Sequence, residues 1–306
     1  MSTFLKKAGP ACIILAGTLW GLMGIFVRTL NAAGLDSMEV VFVRSLITVI
    51  LMAAFLFFYN RKLLKIRLRD LWCFLGTGLV SILMFTYCYF RTMQTTSLSV
   101  AAVLLYTAPI MVMLMSVFLF KEKLTLPKII ACALAFSGCV FVAGIFGNTE
   151  TVSASGIFTG LLSGLGYALY SIFSRYALNR GYHSLTITVY TFLIATIGVL
   201  PFLDYSSLSD ALFSGSAISL TAAAMGVVTA AIPYSLYTFG LTAVESSKAS
   251  IMASIEPVVA TLIGIFVFHE ELTVSGGIGV LLVLSAIVIL NMKLPSARRK
   301  AAVASK

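Results

Sequence analysis

The stretch PIMVMLMSVFLFKEKLT, Pro109 to Thr125, recurs as PVVATLIGIFVFHEELT, Pro257 to Thr273. Seven of the seventeen positions are identical. An apolar chain matches itself by chance at aliphatic positions, so the weight falls on Pro109/Pro257, Glu122/Glu270 and Thr125/Thr273. Further out, LAGTLWGLMGIFVR, Leu15 to Arg28, pairs with LSGLGYALYSIFSR, Leu162 to Arg175. Six of those fourteen positions agree, among them Gly17/Gly164 and Arg28/Arg175. The chain therefore reads as two copies of one unit, split near Gly147–Ala154.

Each unit holds five apolar runs. A membrane helix needs about 20 mainly apolar residues. Runs of that kind lie near 10–30, 38–59, 70–91, 98–120, 126–146, 155–178, 185–203, 217–241, 248–268 and 273–292. The composition agrees: of 306 residues, 60% are hydrophobic and 10% charged, where a soluble domain carries about 25% charged residues. That excludes a water-soluble globule and a disordered chain. The fold class expected is all-α integral membrane, with ten transmembrane helices in two five-helix repeats. Residues 1–9 precede the first repeat (10–146), a connecting loop spans 147–154, the second repeat covers 155–292, and a basic tail runs over 293–306. The run Ala11–Val27 behind Lys6 and Lys7 is read as a retained first helix rather than a cleaved signal.

The positions of the charges test this count. If the N-terminus is cytoplasmic, all of the 21 Lys and Arg except Arg28, Arg44 and Arg91 fall on or near the cytoplasmic side. That is a strong positive-inside bias, and a wrong helix count would scramble it. Both termini are therefore expected in the cytoplasm. Five is odd, so the second unit enters the membrane with the opposite orientation. Its paired loops agree, Lys121-Glu122-Lys123 being basic and His269-Glu270-Glu271 acidic. Inverted repeats are a recurring design of secondary transporters, with a site near the midplane between the halves.

The net charge of +10 is thus a record of topology and not a sign of nucleic acid. Five cysteines lie in apolar runs, where a thiol behaves as a small hydrophobe. His183 and His269 are far apart on loops, so no metal site and no cofactor are expected.

The endings P-x(10)-F-K-E-K-L-T and P-x(10)-F-H-E-E-L-T, with Gly17-x-x-x-Gly21 and the helix entry Thr96-Ser97-Leu98-Ser99-Val100-Ala101-Ala102, resemble the paired EamA-type domains of the drug/metabolite transporter superfamily. The resemblance covers about residues 10–292. It implies a ten-helix bundle with a central cavity, working by alternating access and usually exporting amino acids or other metabolites. It also leaves open carriage of phosphorylated sugars or nucleotide sugars.

Several residues stand out as candidates for the site. Glu256 lies roughly 12 Å along the ninth helix at 1.5 Å per residue, near the midplane. A carboxylate there costs several kcal/mol unless paired or protonated, and ionisable groups at that depth default to function. It suits a cavity wall and a coupling proton; the alternative is a structural carboxyl bonded to a neighbouring helix. Arg44 sits too deep for a loop charge and suits an anionic substrate group, or pairing with Glu39 or Glu256. Trp20 and Tyr167 are repeat counterparts at mid-helix, and Tyr87, Tyr106 and Tyr234 are also mid-span. All five are candidates to line a cavity. Pro109, Pro257 and Pro233 are either packing kinks or gating hinges, since freed backbone groups at depth need protein or water. Arg28, Arg91 and Arg175 read as helix-end anchors, Arg91 with Gln94 also fitting an outer vestibule. The fifth and tenth helices, almost free of polar groups, suit lipid or a dimer surface.

Other classes fit poorly. An enzyme would need a motif such as H-E-x-x-H or G-x-S-x-G, or a second mid-membrane carboxylate. A sensor would need an output domain, and a channel a filter-like loop. The expected partners are a small-molecule substrate and the lipid of a bacterial inner membrane, with the chain a monomer or homodimer.

Overall fold

The structure, a computed structural model, describes residues 3–145, 153–213 and 215–292. Most of the 147–154 connection and the whole 293–306 tail lie outside the described residues. Among the described residues, ten helices are long and apolar enough to cross a membrane: α1 Ala8–Ala32, α2 Ser37–Tyr59, α3 Leu68–Thr95, α4 Leu98–Phe120, α5 Leu126–Ala143, α6 Ala154–Asn179, α7 Ser184–Phe202, α8 Ser216–Leu241, α9 Ser246–Phe268 and α10 Val274–Asn291. The chain is a ten-helix membrane bundle built from two inverted five-helix repeats. The face from which α1 sets out is called the near face below, and the opposite one the far face.

The inverted symmetry is visible in the irregularities of the helices. α4 is two half-helices, Leu98–Leu105 and Ala108–Phe120, with a turn at Tyr106-Thr107. α9 is likewise Ser246–Ala253 and Ile255–Phe268, with a turn at Ser254. Small residues let neighbours reach these breaks. A methyl on Gly17 of α1 would lie 2.9 Å from the Ala253 carbonyl oxygen, and one on Gly164 of α6 would lie 2.8 Å from that of Leu104. Helix-helix approach this close is what glycine supplies in a membrane, where packing rather than water drives association.

α3 and α8 share a second irregularity, a wide π-helical stretch at Gly76–Leu83 and at Gly226–Ala231. π-Bulges are rare and concentrate at functional sites. In α8 the Gly226 carbonyl is satisfied by the Thr48 hydroxyl of α2 at 3.0 Å. In α3 the Thr77 hydroxyl accepts from that of Thr191 of α7 at 2.7 Å.

The turns at Tyr106-Thr107 and Ser254 fall in the turn before Pro109 and Pro257, where a proline leaves the carbonyl four residues back without its helical partner. Pro109 and Pro257 fall in the first turn of the second half-helix, a position where the missing N–H is tolerated. The turns precede them. Pro233 follows the π-helical stretch of α8, and α3 has the same stretch without a proline. Close packing of Gly78 on Thr191 and of Gly226 on Ile47 accompanies the irregularity instead.

α5 and α10 cross at Gly138 and Gly279. A methyl on Gly138 would meet the Gly279 carbonyl oxygen at 2.8 Å, and the converse distance is 2.6 Å. Their outward side chains Ile129, Ile130, Leu281 and Val288 are exposed, as suits contact with lipid chains.

Candidate functional site

Between α1, α2, α3, α4 and α9 lies a cavity of about 370 Å³. Arg28, Ser37, Met93 and Leu98 line its far-face end, and Arg44, Tyr106 and Glu256 its deep end. Tyr106 stands at the break of α4, and Glu256 one residue beyond the start of the second half of α9. The broken helices therefore bring a ring and a carboxylate to the middle of the bundle.

Arg44 is 2% exposed. Its Nη1 lies 3.4 Å from the Met23 sulfur, and its Nε has no protein partner. It forms no ion pair among the described residues. Glu39, one partner weighed from the sequence, is committed elsewhere: it closes a capping box with Asp36 at the start of α2. Glu256, the other partner weighed from the sequence, lines the same cavity without forming an ion pair with Arg44. The counterpart of Arg44 in the second repeat, Thr191, is buried and bonded to Thr77.

Glu256 accepts a 3.0 Å hydrogen bond from Tyr167 Oη. Tyr167 belongs to an aromatic floor beneath the cavity. The Trp20 ring lies 5.1 Å from that of Tyr234, 5.4 Å from Tyr237 and 6.4 Å from Tyr167, and Tyr170 lies 4.9 Å from Tyr234. Edge contacts at such spacings are favourable. The phenols find partners: Tyr170 with Thr238 at 2.8 Å and Tyr237 with Ser171 at 2.7 Å. The floor encloses a separate void of about 20 Å³, room for a single water. Phe85 stands between the two spaces.

The seven residues singled out from the sequence thus fall into three places. Arg44, Tyr106 and Glu256 line the cavity. Trp20, Tyr167 and Tyr234 build its floor. Tyr87 corrects the expectation: it is 44% exposed, lies tilted against Phe202 at 5.9 Å, and lines an open far-face groove with Arg91 and Gln94, which adjoins the cavity through Ser37, Phe90 and Met93. It is not among the residues that line the cavity itself. Arg91 Nη1 donates to Gln94 Oε1 there at 3.3 Å.

Below the floor, at the near face, lies a polar network that the sequence reading missed, at the head of an open pocket of about 710 Å³ lined by Glu122, Arg175 and Glu245. Glu122 Oε1 accepts from the Ser246 N–H at 2.7 Å, and Oε2 from the Ser247 N–H at 3.2 Å and from the Ser247 hydroxyl. The carboxylate thereby caps the half-helix Ser246–Ala253, where the helix dipole favours negative charge. Arg175 is no lipid-snorkelling anchor. Its Nε donates to Ser246 Oγ at 3.0 Å and its Nη2 to the Val244 carbonyl. Lys128, 2% exposed, reaches Glu245 at 2.8 Å and Glu122 at 3.6 Å. Burial works to raise the Glu245 carboxyl, yet the hydrogen bond and charge of Lys128, with Lys248 beside it, hold it below the usual carboxylate range. The available signal was Glu122, retained in both repeats while the lysines flanking it changed.

The model of the EamA-like transporter family matches residues 7–144 and 154–292. Over 288 residues the chain is 31% identical to an uncharacterized transporter of Archaeoglobus fulgidus, covering 92% of this chain and 96% of that one. It is 28% identical to the uncharacterized transporter YxxF of Bacillus subtilis, over 84% of this chain and 81% of that one. It is 22% identical to the uncharacterized inner membrane transporter YicL of Salmonella typhimurium, over 96% and 98%. A crystal structure shares the fold with a TM-score of 0.77 at 15% identity, covering 96% of this chain and 99% of that one.

Proposed function

From the premise that the chain belongs to the EamA-like transporter family, within the drug/metabolite transporter superfamily, we propose that it moves small amphipathic metabolites, amino acids or related zwitterions, by alternating access. The observation that carries this reading is one cavity holding a buried, unpaired Arg44 and the carboxylate of Glu256 at its deep end. Arg44 binds a carboxylate of the substrate, Glu256 its ammonium group, and Tyr106, Tyr89 and Phe85 receive its apolar part. Opposite charges set apart in an apolar cavity recognise a molecule carrying both signs.

The cavity opens at the far face while the Glu122 network and the aromatic floor close the near face, which supports reading this as one end state of a two-state cycle. The concentration of Lys and Arg at the near face supports a cytoplasmic near face and a bacterial inner membrane, and so export toward the far face. Glu256 is the carboxylate through which a proton gradient couples. Phosphorylated and nucleotide sugars are the weaker reading, because a dianionic phosphate beside Arg44 would also face Glu256.

The test is a panel of amino acids, sugar phosphates and amphipathic drugs in proteoliposomes, with and without a pH gradient. Zwitterions are expected to move, Glu256→Gln to abolish any response to the gradient, and Arg44→Ala to weaken apparent affinity for carboxylate-bearing substrates. Transport of sugar phosphates in preference to zwitterions would reverse the assignment, and gradient-independent flux through the unaltered protein would remove the proton.

A further inference from the structure

Glu122 and Glu270 are repeat counterparts, and their backbones are built alike. The residue before each, Lys121 and His269, is left-handed, with φ of 54° and 55°. The Glu122 N–H then donates to the Ser116 carbonyl at 3.2 Å, and the Glu270 N–H to that of Gly264 at 2.9 Å. Ser116 and Gly264 are themselves counterparts. Each helix end therefore presents a glutamate in the same way, one at the near face and one at the far face.

Their partners differ. Glu122 caps a half-helix of the other repeat, Ser246–Ala253, with Arg175 clamped beside it. Glu270 instead holds Arg28 at 2.7 Å, with both side chains about half exposed, and Arg28 lies over the Phe268 ring at 4.0 Å. Arg28 is the counterpart of Arg175, and Leu98–Leu105 the counterpart of Ser246–Ala253. The glutamate, the arginine, the half-helix and the hydroxyl of Ser247 thus recur at the far face as Glu270, Arg28, Leu98–Leu105 and Ser99, not joined, at the mouth of the open cavity.

We propose that Glu270 is the far-face latch: when that face closes, it moves onto the N–H groups of Leu98 and Ser99 and the Ser99 hydroxyl, and Arg28 turns to the Thr96 carbonyl. The inference rests on the alternating-access reading and adds the residues that hold each end. It also assigns a bias. Lys128 and Glu245, which reinforce the near-face latch at 2.8 Å, are matched in the other half by Gly276 and Ser97. The far-face latch lacks that ion pair, so the empty protein rests with its near face shut.

The test uses the full chain, freed of its native cysteines, in proteoliposomes. Ser99→Cys with Glu270→Cys is expected to form an intramolecular disulfide under mild oxidation, to stop transport, and to recover on reduction. In separate variants, Met93→Cys reports access to the open cavity and Ser171→Cys access to the void behind the near-face latch. Glu122→Gln, or Lys128→Gln should the first fail to insert, is expected to raise maleimide labelling of Ser171→Cys by about tenfold, the least that losing a hydrogen bond to a charged group implies. If Met93→Cys and Ser171→Cys labelling shift in opposite directions on adding substrate while no disulfide forms, or while the disulfide forms and transport continues, the latch is wrong and alternating access stands. If labelling at neither position responds to a transported substrate, alternating access itself falls. If Glu122→Gln and Lys128→Gln both leave Ser171→Cys unreactive, the near-face latch and the resting bias fall together.

Discussion

Tyr167 donates a 3.0 Å hydrogen bond to Glu256, joining α6 to α9 where the aromatic floor meets the cavity. The phenol is the one protein donor on that carboxylate among the described residues, and a hydrogen bond to a charged group contributes about 1.5–3 kcal/mol. Tyr167→Phe removes it while keeping the ring that packs against Trp20 and Phe85. The expected outcome is a protein that still folds in detergent, with a melting temperature lowered by the lost bond, and whose initial transport rate falls about tenfold or more. Full activity in that variant would show that Glu256 works without the bond.

The floor and the far-face groove respond differently to substitution. Trp20→Ala strips a buried ring from its contacts with three tyrosines, at a cost of about 3–5 kcal/mol, visible as a large drop in melting temperature. Tyr87→Phe, at an exposed position outside the cavity, is expected to alter stability by less than about 0.5 kcal/mol and to leave substrate affinity unchanged in the same transport assay.

Glycines separate by what a methyl would meet. Gly17→Ala forces α1 away from the break in α9, since the added carbon would sit 2.9 Å from the Ala253 carbonyl oxygen. A loss of about 1–3 kcal/mol follows. Gly277→Ala meets nothing within 4 Å in α10 and is expected to stabilise by about 0.5–1 kcal/mol. Thermal unfolding of the two variants side by side checks both signs.

The Glu245–Lys128 pair gives a dependence on pH. Because the folded Glu245 carboxyl is held below its usual range, its contribution is present at neutral pH and is lost as pH falls through the lowered folded value. Glu245→Gln is therefore expected to lower the melting temperature at pH 7, with the difference from the unaltered protein vanishing in acid below the ordinary carboxylate range. A difference that stays constant down to the lowest pH tolerated would mean the side chain acts by packing and not by charge.

Much of this was readable in one dimension. Ten apolar runs of sufficient length can only be membrane helices, and Gly17/Gly164, Arg28/Arg175 and Glu122/Glu270 declare the repeat. An odd number of spans per unit then forces its inversion. Glu256 and Arg44 were also legible, since a charge at depth is costly enough to need a reason.

Only the tertiary structure decided which of these groups meet. A sequence reports how deep a side chain lies but not the direction in which its helix turns it. That direction separates Tyr106, on the cavity wall, from Tyr87, in the adjoining far-face groove. It also could not show that the helix breaks come before the prolines, because the turns are accommodated by glycines on neighbouring helices remote in the chain. The near-face network was hidden for the same reason: Glu122, Arg175 and Ser246 are loop or helix-end residues in sequence, and become one network only where inverted halves bring three segments together.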